Sequence, residues 1–401
     1  MKISYATHYA SRREDGRHTS TMAALMERMR NMKPELRMPE GLSPEGFALW
    51  RERLKRKVWE LLRLESLTAD AVGQPKPKML ERTRREGYTV ERWECYPDSF
   101  SALPFLVLIP DGVSKDSPAP GVMCLPGSIF SKEFIAGEPL LDGAACRFEK
   151  YPDRNRMALY AMECGAVAFA FDNPETAERA LEIERDGDYG STSRVQLCHG
   201  LIQCGYSYFG ITVAGLLCAL EFIKGLSFVD SERIGIFAHS LGCDAAMYLG
   251  LLCDEVRAVV FNDLVCDEMQ RYYATTEYDE CAMANNIGNW HEVPGTFAYY
   301  SRPDVLMALA PKYLSLSEGG AEYYIDRIRA AYKLLGAESR LTVSHYPKYA
   351  DESSRSRVYE PPKHGLSTSD FFEFTNTDAP DHSFRRDPAV KLFKMAFGKP
   401  E

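Results

Sequence analysis

The chain has 401 residues, 45% hydrophobic and 26% charged, which gives a sizeable core and rules out a fibrous or broadly disordered protein. Its net charge of −9 argues against a nucleic-acid partner, and no apolar run approaches the roughly 18–20 residues that a membrane helix needs. The opening MKISYATHYASRREDG lacks the charged-then-apolar pattern of a secretory signal, and the eleven cysteines contain no Cys-x-x-Cys pair, so the expected compartment is the cytoplasm. Charge is uneven: residues 1–90 hold 19 Lys+Arg against 12 Asp+Glu, the pattern of a basic N-terminal layer on an acidic body.

The first forty residues show no clear period. A helix then opens with Ser43 as cap and Pro44 in the first position, and Phe47, Trp50, Leu54, Val58 and Leu61 form one apolar face. Ala71–Lys78 (AVGQPKPK) reads as a linker, so residues 1–86 are an N-terminal helical extension and linker, ahead of a main domain over 87–401. Tyr88–Tyr96 and Leu103–Ile109 read as strands at an antiparallel edge. Gly121–Leu125, Ala166–Phe171, Arg233–Phe237, Val256–Phe261, Tyr313–Ser317 and Leu341–Tyr346 read as buried strands. Between and after them, helices are expected over Met157–Cys164, Gln196–Ile223, Cys243–Leu252, Tyr323–Leu335 and Ala389–Phe397. Strands alternating with helices, and apolar on both faces, imply a mostly parallel sheet with helices on both sides. Two long connections, 263–310 and 348–386, read as walls of a site, the first as a lid insertion. Tyr272, Tyr273, Tyr299 and Tyr300 in that insertion suit either a sugar-binding wall or the core of the lid.

The most informative stretch is Ile234-Gly-Ile-Phe-Ala-His-Ser-Leu-Gly-Cys243. An apolar strand runs straight into Ser240, a helix follows at once, and Ala238 and Gly242 flank the serine at −2 and +2. Small residues at those places permit the sharp strand-to-helix turn that bares a nucleophilic hydroxyl and aims the helix N-terminus at it. The Leu241 N–H is then one oxyanion donor. A serine needs a base held by an acid, and after such a turn the chain order is serine, acid, histidine. His291 comes too early, and His345 lies in a predicted buried strand. His364 and His382 remain, and His382, just before the last helix, stands where the base belongs; such a base sets a pH limb near ~6–7. The acid belongs in the loop after Tyr313–Ser317, near Glu318 and Glu322. The second oxyanion donor is expected in Pro126-Gly127-Ser128, after the Val122–Leu125 strand, with the Ser128 N–H as the choice. No metal site is expected, since the one Cys/His cluster, Cys198-His199 with Cys204, lies in an apolar helical stretch without ligand spacing.

These residues resemble the α/β-hydrolase superfamily, specifically the dienelactone-hydrolase-related branch that includes acetyl-xylan-esterase-like bacterial proteins. The resemblance spans about residues 45–398 and rests on Cys-Leu-Pro-Gly-Ser (124–128), Gly-Glu-Pro (137–139), Phe-Asp-Asn-Pro (171–174), Ala-His-Ser-Leu-Gly (238–242), Ser-Glu-Gly-Gly (317–320), Ala-Tyr-Lys-Leu-Leu-Gly (331–336), His-Tyr-Pro-Lys (345–348) and Thr-Asp-Ala-Pro-Asp-His (377–382). It implies a nucleophile at Ser240, an acid at Glu322, where relatives carry Asp, and a base at His382. The expected protein is an α/β hydrolase cleaving carboxylic esters, including acetyl or other acyl esters of sugars, with no cofactor. Its substrate would be a small-molecule or oligosaccharide ester, and no nucleic acid or membrane is expected as a partner. The alternatives are an exopeptidase of the same fold and a non-catalytic binding protein.

Overall fold

Apolar runs that must be covered on both faces form the middle of a nine-stranded sheet. The computed structural model describes residues 3–4, 11, 13–140, 154–181, 191–275, 277–278, 289–360 and 366–398. The strands are β1 (Lys78–Arg85), β2 (Tyr88–Cys95), β3 (Leu103–Pro110), β4 (Ala119–Leu125), β5 (Val167–Phe171), β6 (Val229–His239), β7 (Val256–Asn262), β8 (Tyr313–Leu316) and β9 (Leu341–Val343). Their order is β9-β8-β7-β6-β4-β5-β3-β2-β1. β1 to β3 pair antiparallel, as do β3 and β5, and every other pair is parallel. All residues of β4 and β5 are buried.

The described helices, in chain order, are α1 (Thr21–Asn31), α2 (Pro44–Leu61), α3 (Leu64–Ala69), α4 (Lys132–Ala136), α5 (Met157–Glu163), α6 (Ser191–Gln203), α7 (Tyr208–Lys224), α8 (Leu241–Leu252), α9 (Glu268–Ala274), α10 (Thr296–Tyr299), α11 (Arg302–Ala308), α12 (Glu322–Leu334), α13 (Thr368–Phe374) and α14 (Arg386–Phe397). The larger core joins α2, α7, α8, α11 and α12 to one face of the sheet, and the smaller one joins α4, α5 and α14 to the other. Alternate β4 residues serve the two: Met123 and Leu125 enter the larger core, Val122 and Cys124 the smaller. No single described helix is long and apolar enough to cross a membrane.

The N-terminal layer is part of this core. Ser43 caps α2 by accepting the Gly46 N–H, and Phe47, Trp50, Leu54 and Val58 are buried. The Trp50 indole donates to Leu36 O at 2.8 Å. The basic layer meets the acidic body through Arg37–Asp267 at 3.1 Å and Lys55–Asp254 at 3.8 Å.

Three expectations change. The span assigned to the helical extension and linker contains β1, an edge strand whose charged residues point mostly to solvent. The stretch read as one helix over Gln196–Ile223 is two, broken at Gly205 with φ 78° and restarted by Ser207, which accepts the Gly210 N–H. The region read as a lid contains α11, whose seven residues are all buried, Val305, Leu306, Met307 and Ala308 in the larger core; residues 276 and 279–288 of that region lie outside the described residues.

Candidate active site

β6 delivers Ser240 at the carboxyl end of the sheet and α8 begins on the next residue. Ser240 has φ 48° and ψ −122°, a conformation that non-glycine residues adopt only where their surroundings enforce it. The enforcement is visible. A Cβ on Gly242 would lie 2.3 Å from Leu125 O, so only glycine lets α8 approach the end of β4. A Cβ on Gly127 would lie 3.3 Å from the Ser240 Cβ, so the 126–128 loop rests against the serine. The Ser240 N–H donates to Asn262 O at 3.0 Å, tying the turn to β7.

His382 follows a short turn ahead of α14. Its Nδ1 is 2.7 Å from Glu318 Oε2, and the second Glu318 oxygen accepts the Ser383 N–H at 3.2 Å. Glu318 is fully buried, whereas the His382 side chain keeps 32% of its surface exposed. Burial opposes the imidazolium, but the adjacent Glu318 charge and hydrogen bond outweigh it, and Asp263 adds to them; the His382 pKa rises to about 9. With Nδ1 committed to the carboxylate, Nε2 is the nitrogen left for the serine.

Glu322, the residue that the resemblance selects as the acid, does not face His382. It is the first residue of α12, and its Oε1 lies 2.9 Å from His345 Nε2, with Arg329 and Arg355 nearby. Burial would raise its pKa, but His345 and the two arginines lower it on balance. The cause is the turn between the two acids. Gly319 and Gly320 have φ 70° and 146°, and Gly319 O and the Ala321 N–H pair with Val265 on the neighbouring connection. The chain thus bends away directly after Glu318, leaving that carboxylate at the strand end and carrying Glu322 past the site. His345, expected inside a strand, lies beyond the end of β9.

Ser128 lies in the loop after β4, and Leu241 is the first residue of α8. Asn173 Nδ2 donates to Pro126 O and Gly127 O at 2.9 and 3.0 Å, and Arg194 donates to Ser128 O at 2.9 Å. A trans peptide points its N–H opposite to its carbonyl, so with Gly127 O turned toward Asn173 the Ser128 N–H faces away from it. The loop continues into Lys132, which is 1% exposed. Its Nζ lies 2.7 Å from Asp172, 2.9 Å from Glu133 and 2.6 Å from Glu178, and its N–H donates to Asp172 at 2.7 Å. The signal for these supports was the polar pair Asp172-Asn173 closing an all-apolar strand; their role in holding the loop was not legible without the fold.

His291 sits at the first turn of α8, its Nδ1 2.8 Å from Asp244, which also pairs with Arg302 at 2.9 Å. His364 lies outside the described residues. Tyr300 is buried in the core, and Tyr273 and Tyr299 pack against it. Among the described residues, His239, Glu318 and His382 bring ligand atoms within 4.8 Å of one another, a spacing that a metal ion would accept. Each of the three already has a protein hydrogen-bond partner.

A sheet in this order, a strained serine between its central strand and a helix, and a carboxylate-held histidine are the features of an α/β hydrolase. The chain belongs to the Abhydrolase family, which matches residues 3–394. Among solved structures it is similar to a protein of Bacteroides fragilis described as a "putative acetyl xylan esterase", with 30% identity, TM-score 0.88, and 98% of this chain and 100% of the other covered. It shares its fold with a methylesterase (16% identity, TM-score 0.57, 93% and 67% covered) and with a glucuronoyl esterase from Solibacter usitatus (12% identity, TM-score 0.51, 92% and 100% covered). Among curated proteins, none matches the chain in sequence.

Proposed function

We propose that the protein is a serine esterase that removes acyl groups, acetyl among them, from sugars or oligosaccharides through a Ser240–His382–Glu318 triad. The observation that carries the reading is the 2.7 Å Glu318–His382 contact beside the strained Ser240 turn. In this mechanism the Ser240 Oγ attacks the ester carbonyl carbon while His382 Nε2 takes its proton. The Ser128 and Leu241 N–H groups bind the resulting oxyanion. Collapse of the tetrahedral intermediate expels the sugar alcohol, which takes the proton from His382, and leaves an acyl-serine. Water, deprotonated by His382, then attacks the acyl group, and Ser240 Oγ leaves with that proton returned from His382 as the carboxylic acid is released. Glu318 keeps the proton of neutral His382 on Nδ1 and stabilises the imidazolium. Sugar esters are favoured as substrates by the acetyl xylan and glucuronoyl esterases among the structural relatives.

The test is turnover of p-nitrophenyl esters of rising acyl length and of acetylated sugars, set beside aminoacyl anilides, together with labelling by a fluorophosphonate. Wild type should hydrolyse short esters and be labelled, and folded Ser240→Ala should do neither. Ester turnover retained in Ser240→Ala overturns the reading, and preference for anilides turns it toward an exopeptidase.

A further inference from the structure

Asn262, the last residue of β7, is fully buried, and both ends of its side-chain amide are engaged. Nδ2 donates to Ser383 O at 3.1 Å and to His239 Nδ1 at 2.9 Å. Oδ1 accepts the Arg385 N–H at 3.1 Å. The backbone carbonyl accepts the Ser240 N–H. One residue therefore holds the turn that carries the nucleophile, the ring beside it, and the backbone on the far side of His382.

The amide orientation is fixed by its neighbours. A backbone carbonyl must face the NH₂ and a backbone N–H must face the oxygen, so Ser383 O and Arg385 N–H allow one assignment only. The NH₂ meets His239 Nδ1 at 2.9 Å, closer than the Asn262 carbonyl at 3.3 Å, so Nδ1 accepts from the amide. The proton of neutral His239 is placed on Nε2, and no proton can enter at Nδ1 while Asn262 donates there. The His239 ring is also fully inside the protein, with its centroid 4.5 Å from that of His382.

We propose that Asn262 is a positioning residue that couples the Ser240 turn to the His382 loop and locks His239 as a neutral, Nε2-protonated ring beside the base. The inference rests on the triad reading. During acylation His382 becomes an imidazolium, and a second positive ring at 4.5 Å would oppose it. The charged or titratable groups facing His382 are Glu318, Asp263, Arg385 and His239. Of these His239 is the one whose charge would change on protonation near neutral pH, and Asn262 together with burial keeps it uncharged. Burial first, and then the neighbouring His382, hold the His239 pKa well below the usual histidine value, against the Asn262 carbonyl, which favours the charged ring.

Two measurements test this. Selective ¹⁵N-histidine NMR, with His239 assigned by loss of its signal in His239→Gln, should show wild-type His239 as the Nε2–H tautomer that does not titrate between pH 5 and pH 9. An Nδ1–H tautomer, or titration in that range, overturns the proposal without bearing on whether the protein is an esterase. Second, Asn262→Asp keeps the size and the acceptor for Arg385 but removes both donors. In folded protein its kcat should fall roughly 10–100-fold, the scale of an angstrom-level misplacement of catalytic groups, with KM within about threefold, and its His239 should become protonated at Nδ1. An unchanged kcat in folded Asn262→Asp overturns the positioning role, whereas an inactive wild type with the predicted tautomer would indict the esterase reading instead.

Discussion

Glu318 holds His382 with both carboxylate oxygens, one on the ring at 2.7 Å and one on the backbone N–H of Ser383 at 3.2 Å. The acid thus fixes the ring and its loop together, from a position where the carboxylate is fully out of solvent. Neutralising it should reveal which of the two nearby glutamates acts on the base. Glu318→Gln is expected to lower kcat by roughly 10²–10⁴, since the amide presents a donor or the wrong tautomer to Nδ1. Glu322→Gln should keep kcat within about tenfold but lower the unfolding midpoint, because it weakens the contacts to His345, Arg329 and Arg355. The reverse ranking in folded variants would return the acid role to Glu322.

The pH dependence follows from the same pair. The base works as neutral imidazole, and with the His382 pKa raised to about 9 the kcat/KM of the free enzyme should climb from neutral pH to a limb near 9. Glu318→Gln removes the charge that raises the pKa while burial remains, so the limb should move down, to the ordinary histidine range of ~6.5 or below. A folded pKa above the unfolded one also means that the pair stabilises the fold fully below pH ~6.5 and loses that contribution as pH rises through about 9. A wild-type limb at ~6–7 that Glu318→Gln leaves in place would contradict the coupling.

Two glycines in helices make a contrasting pair. A methyl at Gly242 would lie 2.3 Å from Leu125 O and 2.8 Å from Pro126 O, backbone atoms where β4 passes into the loop against Ser240. Gly242→Ala should therefore push α8 off that loop, cost ~1–3 kcal/mol or more and depress kcat at least tenfold. A methyl at Gly200, inside α6, would meet nothing within 4 Å. Gly200→Ala should be neutral or stabilise by ~0.5–1 kcal/mol. Thermal denaturation alongside ester turnover reads both.

Lys132 carries the third kind of dependence. Its ammonium is buried among Asp172, Glu133 and Glu178, and burial of the charge is outweighed by those three carboxylates, which hold its pKa above the usual lysine value. Lys132→Met should cost ~3–5 kcal/mol in chemical denaturation, because Asp172 would stay buried without its cation and Glu133 would keep only Arg92. Activity should fall with it, since the same residue anchors the end of the 126–131 loop. A small stability loss would mean that the carboxylates find other partners or take up protons.

Much of this arrangement was readable from residue order. β4 to β8 are short apolar runs because both of their faces are covered, and a strand ending in Ala-His-Ser-Leu-Gly announces its turn by the small residues at Ala238 and Gly242. What escaped had physical reasons. β1 is an outer strand with charged, exposed side chains, so no hydrophobic alternation marks it. α11 was hidden because a buried arginine and aspartate, Arg302 and Asp304, disguise a core helix as a polar loop. The carboxylate partner of His382 was missed because counting from the helix gives Glu322, whereas the contact is made by the residue before the Gly319-Gly320 bend. Asn262 was invisible for another reason: its partners, Ser383 and Arg385, lie more than a hundred residues away.

The N-terminal layer imposes an order on biosynthesis. The Met38 N–H bonds to Asp304 Oδ1 at 2.8 Å across 266 residues of chain, Arg327 donates to Met38 O, and α2 seals its apolar side against α8. The residues around Met38 therefore find these seats only after the chain has been made as far as Arg327. Until then the stripe of Phe47, Trp50, Leu54 and Val58 is a sticky surface without a partner, and such long-range closure is slow. A nascent chain of this protein must be kept from clumping while those intervening residues are made, and a version lacking residues 1–70 would carry the complementary bare surface permanently.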